Sequence, residues 1–95
     1  MPVVSELSAV RVHIDGLVQG VGFRWSAQSR AADLGISGWC RNLIGGRVEF
    51  FAQGRPDDLQ VFLTWLHDGP TASVINEVHV VPAAPDPRFV SFEIR

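Results

Sequence analysis

Residues 10–24 have the sequence VRVHIDGLVQGVGFR, and the order of elements in this segment decides the fold. Apolar and polar residues alternate before the first glycine, which predicts a strand over residues 9–15 with one buried face. Three glycines follow within seven residues, and apolar residues then recur at helical spacing from Phe23 to Leu34. The segment is therefore predicted to form a strand, a glycine-rich loop and a helix in direct succession.

The same periodicity rules assign the rest of the chain. The predicted elements are strands over residues 36–43 and 47–53 joined by a turn at Gly45-Gly46, a helix that begins at Pro56 and ends before Gly69-Pro70, a strand through Val74, Val78 and Val80 that Pro82 stops, and a short last strand through Val90, Phe92 and Ile94.

Two helices cannot bury both faces of a sheet of this size, so both are expected on one face of an antiparallel sheet. The prediction is a ferredoxin-like α+β sandwich of βαββαβ order with a short extra C-terminal strand. Residues 1–8 are interpreted as an N-terminal extension, and residues 9–95 as the single domain. This fold serves carriers, RNA-binding modules and enzymes alike, so it leaves the function open.

Composition excludes several classes of function. The net charge of −2 over 95 residues gives no electrostatic footprint for a nucleic acid or an anionic membrane. The single cysteine, Cys40, excludes an internal disulfide framework and fits a reducing compartment. No signal peptide or membrane-spanning run is recognisable, so a cytoplasmic location is expected, with no nucleic-acid or membrane partner.

The glycine-rich segment has the chemistry of an anion site. Glycines let the backbone curl so that several N–H groups converge, and the following helix N-terminus adds unpaired donors and a partial positive charge. Arg24 adds a planar cationic fork suited to phosphate oxygens. The predicted phosphate-binding loop comprises Gly16, Leu17, Val18, Gln19, Gly20, Val21 and Gly22. Its spacing matches neither the nucleoside-triphosphate loop nor the dinucleotide fingerprint, so these residues alone indicate only an oxyanion.

Asn42 is the second polar residue of interest, at the end of a predicted strand and just before the glycine turn. Its carboxamide can accept a hydrogen bond from a water and donate one to a phosphate oxygen. Alternatively, it begins the turn by bonding to its own backbone.

Together these motifs closely resemble the acylphosphatase family. The resemblance covers nearly the whole chain, and the motifs that carry it are Gly16-x-Val18-Gln19-Gly20-Val21-x-Phe23-Arg24, Gly38-Trp39-Cys40-Arg41-Asn42, Gly46-x-Val48-Glu49, Trp65-Leu66-x-x-Gly69-Pro70 and Phe92-x-Ile94-Arg95. It implies hydrolysis of small acyl phosphates to a carboxylate and inorganic phosphate. The loop would wrap the phosphate, Arg24 would bind it and Asn42 would position the attacking water. No metal or cofactor is implied, and inorganic phosphate or sulfate is expected to compete with the substrate.

That chemistry agrees with the residues the chain lacks. A carboxylate leaving group has a pKa of roughly 4, so it departs without a general acid. Phosphoryl transfer depends mostly on positioning and charge stabilisation, so one arginine, a ring of N–H donors and an oriented water suffice. Two rival functions are a non-catalytic anion-binding module and an RNA-binding sheet. The second would require exposed aromatic residues on the sheet and basic flanks.

The remaining polar and aromatic residues have structural interpretations. His13 and His79 are expected as neighbours on the open sheet face, where a metal site with Glu49 is conceivable but lacks ligand spacing. Cys40 is expected in the core and not as a reactive thiol. The other structural assignments are packing roles for Trp25, Trp39 and Trp65, a C-terminal helix position for His67, and helix-start charges for Asp57 and Asp58.

Overall fold

The expected strand, loop and helix are all present in a computed structural model, which describes residues 7–95. The elements are β1 (Ser8–Leu17), α1 (Phe23–Leu34), β2 (Ser37–Asn42), β3 (Val48–Gly54), α2 (Pro56–Asp68), β4 (Val74–Ala83) and β5 (Phe92–Ile94). Residues 1–6 of the predicted N-terminal extension lie outside the described residues, whereas Ser8 already belongs to β1.

One five-stranded sheet has the order β4-β1-β3-β2-β5. The first four strands pair antiparallel, in the arrangement of a ferredoxin-like sandwich. The short β5 pairs parallel with β2, so the sheet is mixed and not wholly antiparallel as predicted. The linker of residues 84–91 takes the chain from β4, at one edge of the sheet, to β5, at the opposite edge. There β5 runs in the same direction as its neighbour β2.

Both helices cover the same face of the sheet, as predicted. Their apolar sides and the inward residues of the strands form one core, in which α1 contributes Phe23, Ala27 and Ala31 and α2 contributes Leu59, Phe62 and Leu66. Phe50 of β3 contacts the rings of Phe23 and Phe62 edge-on, so the central strand joins the two helices. We call the opposite face the open face because no helix covers it; it carries a second, smaller apolar cluster of Ala9, Trp39 and Phe51, against which Ala83 and Phe89 pack.

Three details of the sequence prediction were wrong. Pro82 does not stop β4, which continues to Ala83; β4 is an edge strand, where a missing N–H can face solvent. Gly16 and Leu17, predicted in the loop, are the last residues of β1. Val90, predicted in the last strand, precedes β5 and is exposed.

Gly16 lies at a register shift in the pairing of β1 with β4. Its φ of 141° is disfavoured for other residues, and a Cβ built there would overlap the carbonyl oxygen of Val74. The bulge redirects β1 just before the loop, so Gly16 determines where the loop leaves the sheet.

Gln53, a fully buried polar residue on β3, anchors the linker before β5. Its Nε2 donates to the backbone oxygen of Asp86 at 2.9 Å and to Ser37 Oγ at 3.1 Å, while its Oε1 accepts from the Asp86 backbone N–H at 2.7 Å. Because these bonds hold the linker against the sheet, they also fix where β5 begins.

Candidate active site

The N-terminus of α1 is open to an anion. Gly22 is its N-cap, with a left-handed φ of 74°, and no side chain caps the helix. The first intrahelical bond runs from the Ser26 N–H to the Gly22 oxygen at 2.9 Å, so the N–H groups of residues 23–25 have no helical acceptor. The first turn carries no acidic residue. The positive end of the helix dipole is therefore uncompensated by any residue of that turn.

The loop and the helix start enclose a pocket of about 240 Å³. Its walls are Val18, Gly20, Gly22, Phe23, Arg24, Trp25 and Ile94. Gly20, with φ 77°, and Gly22 both have left-handed backbone, which permits the loop to curl over the helix end. Backbone donors and one guanidinium thus line the same small space.

Arg24 is partly buried in this wall. Its Nη1 donates to the backbone oxygen of Arg95 at 3.3 Å, a long and exposed hydrogen bond. Within residues 7–95 no Asp or Glu side chain pairs with its guanidinium. Most of its donors are consequently available to an oxyanion in the pocket.

Gln19 connects the loop to the turn between β2 and β3. Its Nε2 donates to the backbone oxygens of Leu43 at 2.9 Å and Arg47 at 3.0 Å. Those two residues are themselves bonded across the turn, from the Leu43 N–H to the Arg47 oxygen at 2.8 Å. The Gln19 side chain therefore acts as a clamp on the hairpin instead of pointing to the pocket.

Asn42 is the last residue of β2 and is exposed. Residues close to Asn42 in sequence make contacts with the loop and α1. Leu43 accepts the hydrogen bond from Gln19, and Cys40 Sγ lies 4.0 Å from the Arg24 backbone oxygen. The Asn42 carboxamide forms no hydrogen bond with any residue in 7–95, so it does not bond to its own turn as the structural alternative requires. It lies outside the walls of the pocket itself.

The predicted loop residues divide into two groups. Val18, Gly20 and Gly22 line the pocket with Arg24. The other four connect the loop to the rest of the domain. Gly16 and Leu17 end β1, Gln19 bonds to the hairpin and Val21 packs against the core. The pocket also contains Ile94 and Trp25, which the sequence analysis did not assign to it.

Trp25 overturns one sequence prediction. It was expected to have a packing role, but 72% of its surface is exposed. Trp39 and Trp65 do pack, the first against Phe51 and the second against Phe23 and Phe62. A helical apolar stripe contains Phe23, Ala27 and Ala31, and the position of Trp25 two residues after Phe23 already lies off that stripe.

Cys40 is fully buried, as predicted. Burial raises the pKa of its thiol to about 12, outweighing the opposing charge of Arg24. The thiol is therefore neutral near pH 7 and is a poor nucleophile. The other structural assignments also hold: His67 Nδ1 lies 2.8 Å from the Leu63 oxygen in the last turn of α2, and Asp57 and Asp58 occupy its first turn.

The open face carries a cluster centred on Glu49. Glu49 Oε2 lies 2.9 Å from His13 Nε2, and Oε1 accepts from Arg41 Nε at 2.7 Å. Burial alone would raise the pKa of Glu49, but the hydrogen bonds and charges of His13 and Arg41 hold that pKa below its ordinary value. His13 pairs directly opposite His79, as predicted. Because His79 contacts Glu77 and not Glu49, the conceivable His13, His79 and Glu49 set is not assembled.

Trp39 and Phe51 also lie on the open face, where a sheet that binds RNA would present aromatic rings. Both are nearly inaccessible, with 7% and 4% of their surface exposed. The guanidinium of Arg11 lies 5.5 Å from the Trp39 ring centre, and that of Arg95 lies 5.1 Å from it. Phe89 of the linker packs on the same cluster, with its ring centre 5.7 Å from that of Phe51. The two rings are therefore covered by Phe89 and by arginines and are not free to stack on bases.

A ferredoxin-like sheet with a glycine loop, an uncapped helix N-terminus and an arginine around one pocket defines a class of small α+β domains. Comparisons with known proteins narrow this class. The profile of the Acylphosphatase family matches residues 10–94. An acylphosphatase of Legionella pneumophila (strain Philadelphia 1) is 46% identical over 85 residues, which cover 90% of this chain and 92% of the relative. An acylphosphatase of Trichormus variabilis is 44% identical over 82 residues, covering 86% and 81%.

The comparison of structures agrees. The crystal structure of acylphosphatase from Bacillus subtilis superimposes with a TM-score of 0.88 at 33% sequence identity, covering 95% of this chain and 99% of that one. This chain belongs to the acylphosphatase family. It is accordingly a hydrolase that acts on acyl phosphates. Within residues 7–95, the helices are too short or too polar to cross a membrane.

Proposed function

We propose that the phosphate-binding loop, the N-terminus of α1 and Arg24 hold the phosphoryl group of the substrate, while Asn42 positions the attacking water. The observation that carries this proposal is the 240 Å³ pocket, in which two left-handed glycines, an uncapped helix end and a guanidinium without an Asp or Glu partner converge. All of these groups are donors or positive charges, and a phosphoryl group presents only acceptors to them.

The reaction follows from this arrangement. A water held by the Asn42 carboxamide attacks phosphorus, and the bond from phosphorus to the carboxyl oxygen breaks. The carboxylate leaves with the electron pair of that bond, and the water protons remain with the phosphate and the solvent. The N–H groups and Arg24 stabilise negative charge on the equatorial oxygens, a role that a metal ion fills in other phosphoryl-transfer enzymes. Metal independence is part of the proposal.

Selectivity for acyl phosphates over phosphate monoesters is the first test. No group in the proposed site protonates an alkoxide, which has a far higher pKa than a carboxylate. Phosphate release from acetyl phosphate should persist in the presence of a chelator, and release from a phosphate monoester should be nearly undetectable. Comparable turnover of the monoester would refute the mechanism, and loss of activity in chelator would refute metal independence.

Competition by free anions tests the pocket itself. Inorganic phosphate and sulfate should inhibit competitively, because the proposed contacts are made to the oxyanion. Arg24→Ala should lower kcat/KM by roughly 10³-fold or more and should weaken phosphate binding as well. Arg24→Lys should restore little of this loss, since an ammonium does not reproduce the planar fork.

Arg30→Ala is the matched control for these variants, because Arg30 is an exposed arginine of the same helix and lies outside the pocket walls. Its rates should equal those of the wild type. A lysine variant of Arg24 with wild-type rates would show that only charge matters.

We also propose a cytoplasmic location, which the buried, unpaired thiol of Cys40 supports.

A further inference from the structure

We infer that Trp25 forms a subsite for the acyl group and that this subsite selects flat, apolar acyl groups, such as aroyl groups, over acetyl. This inference rests on the proposed function, since it requires the phosphoryl group to occupy the 240 Å³ pocket. It adds a determinant of substrate choice to a site whose other groups contact only the phosphate.

The position of Trp25 on α1 directs it toward the substrate. It is the third residue of the helix, and the Cα–Cβ bonds of a helix tilt toward its N-terminus. The indole is therefore carried over the same helix end that receives the phosphate, and it forms part of the pocket wall. Phe23 and Val18, which also line the pocket, are buried in the core, whereas 72% of Trp25 is exposed.

Trp25 is the exposed apolar wall of the phosphate pocket, since Ile94, the remaining apolar residue that lines it, is only partly accessible. An acyl group that extends from the pocket toward solvent therefore passes Trp25.

A larger space lies directly beyond Trp25. A hollow of about 660 Å³ shares this residue and runs between α1 and β5. Its further walls are Gln28, Ser29, Ala32, Gly35, Ile36, Val90, Ser91 and Phe92. Phe92 and Ile94 lie on the same face of β5, and Ile94 lines the phosphate pocket whereas Phe92 lines the hollow. An acyl group that extends from the pocket along β5 therefore meets a hollow without charged side chains, in which Trp25 is one wall.

A second hollow of about 490 Å³ also shares Trp25, but it has a different chemistry. It is lined by Ser26, Ser29, Arg30, Asp33, Trp65, Pro70 and Thr71. Two charged and several hydroxyl side chains make it a poor environment for an aromatic ring. The hollow beside β5 is consequently assigned as the acyl subsite.

The test compares benzoyl phosphate with acetyl phosphate in wild type, Trp25→Ala and Trp25→Phe. Stacking of aromatic rings predicts that Trp25→Ala lowers kcat/KM for benzoyl phosphate about three- to tenfold more than for acetyl phosphate, mostly through KM. Trp25→Phe should retain most of the preference, because it keeps an aromatic face. Inhibition by inorganic phosphate is measured in all three proteins, because Trp25 is also a wall of the phosphate pocket and this control separates a loss of phosphate binding from a loss at the acyl group.

Two matched variants locate the subsite. Val90→Ala removes apolar surface from the hollow beside β5 and should lower kcat/KM for benzoyl phosphate alone, by about twofold. Thr71→Ala alters the polar hollow and should leave both substrates unchanged. The reverse pattern would overturn the assignment.

The two proposals fail differently. If Trp25→Ala changes both substrates equally or neither, the acyl subsite is refuted while the phosphate site stands. If the wild type hydrolyses neither acyl phosphate, both proposals are overturned.

Discussion

The Gln19 clamp offers the most quantitative test of how the loop is held. Gln19→Met keeps the length and apolar stem of the side chain but removes the two hydrogen bonds to the Leu43 and Arg47 oxygens. Both oxygens keep a backbone donor, from the Gly46 N–H at 3.3 Å and from the Leu43 N–H at 2.8 Å. No carbonyl is left unsatisfied, so the cost is that of two ordinary hydrogen bonds without a desolvation penalty, about 1–2 kcal/mol.

That free energy should appear in phosphate binding, because phosphate must then order a loop that the wild type holds in place. Since about 1.4 kcal/mol equals a factor of ten, Kd for inorganic phosphate should rise about 5- to 30-fold. Isothermal titration calorimetry at neutral pH measures this directly, with urea unfolding as the measure of stability. Gln28→Met is the matched control, since Gln28 makes one hydrogen bond of the same kind, to the Phe92 oxygen at 3.2 Å, away from the loop.

The control should lose stability but keep phosphate affinity within twofold. If Gln19→Met changes phosphate Kd less than twofold while it loses the expected stability, the clamp contributes to the fold and not to the site. That result would refute the reasoning that links the loop to the hairpin.

The other predictions concern the frame of the site. Gly16→Ala should lower the free energy of unfolding by more than about 3 kcal/mol in urea titration, because the new Cβ meets the Val74 carbonyl in a strained backbone; a loss below 1 kcal/mol would mean the bulge can relax. Glu49→Gln should cost about 1–3 kcal/mol at pH 7. The folded-state pKa of Glu49 is lowered, so its stabilising contribution is present above the unfolded pKa and lost as pH falls through the folded pKa; the variant should lack that acid-dependent loss. Cys40 should react with a thiol reagent far more slowly in native protein than in urea, up to about pH 10, since its folded pKa is about 12; rapid native labelling would contradict its burial.

Local patterns were sufficient to predict most of the fold. Helical periodicity and the helix-ending Gly35 predicted the boundaries of α1, Phe23 and Leu34. The pair Gly45-Gly46 predicted the turn, and both glycines do adopt positive φ. The extent of β4 could not be predicted from local patterns. A strand can continue through Pro82 only if it lies at a sheet edge, and the order of strands in the sheet depends on tertiary structure. The parallel pairing of β5 could not be predicted either, because Gln53, which holds the linker before β5, has no local signal for that role.

The sequence identified those pocket residues that carry a local signal. Gly20, Gly22 and Arg24 carry their own signals, in the glycine spacing before a helix start and in the charge beside it. Gln19 was assigned to the phosphate-binding loop, and its side chain has a second role without a local signal, since it bonds to carbonyls more than twenty residues away. Trp25 was assigned a packing role by residue type, although its place two residues after Phe23 puts it off the buried stripe. The role of the Gln19 side chain therefore depends on contacts distant in sequence, whereas the exposure of Trp25 follows from a local pattern.

Asn42 provides the most direct test of the central claim, that the site separates phosphate binding from water positioning. The measurement is a paired titration on wild type, Asn42→Ala and Arg24→Ala: kcat with acetyl phosphate and Kd for inorganic phosphate. Asn42→Ala should lower kcat by about 10² to 10³ and leave phosphate Kd within a few-fold, because its interaction is expressed mainly in the transition state. Arg24→Ala should impair both quantities, and Asn42→Asp should fail like Asn42→Ala because it turns a negative charge toward phosphate. A near-normal kcat in Asn42→Ala would contradict the account.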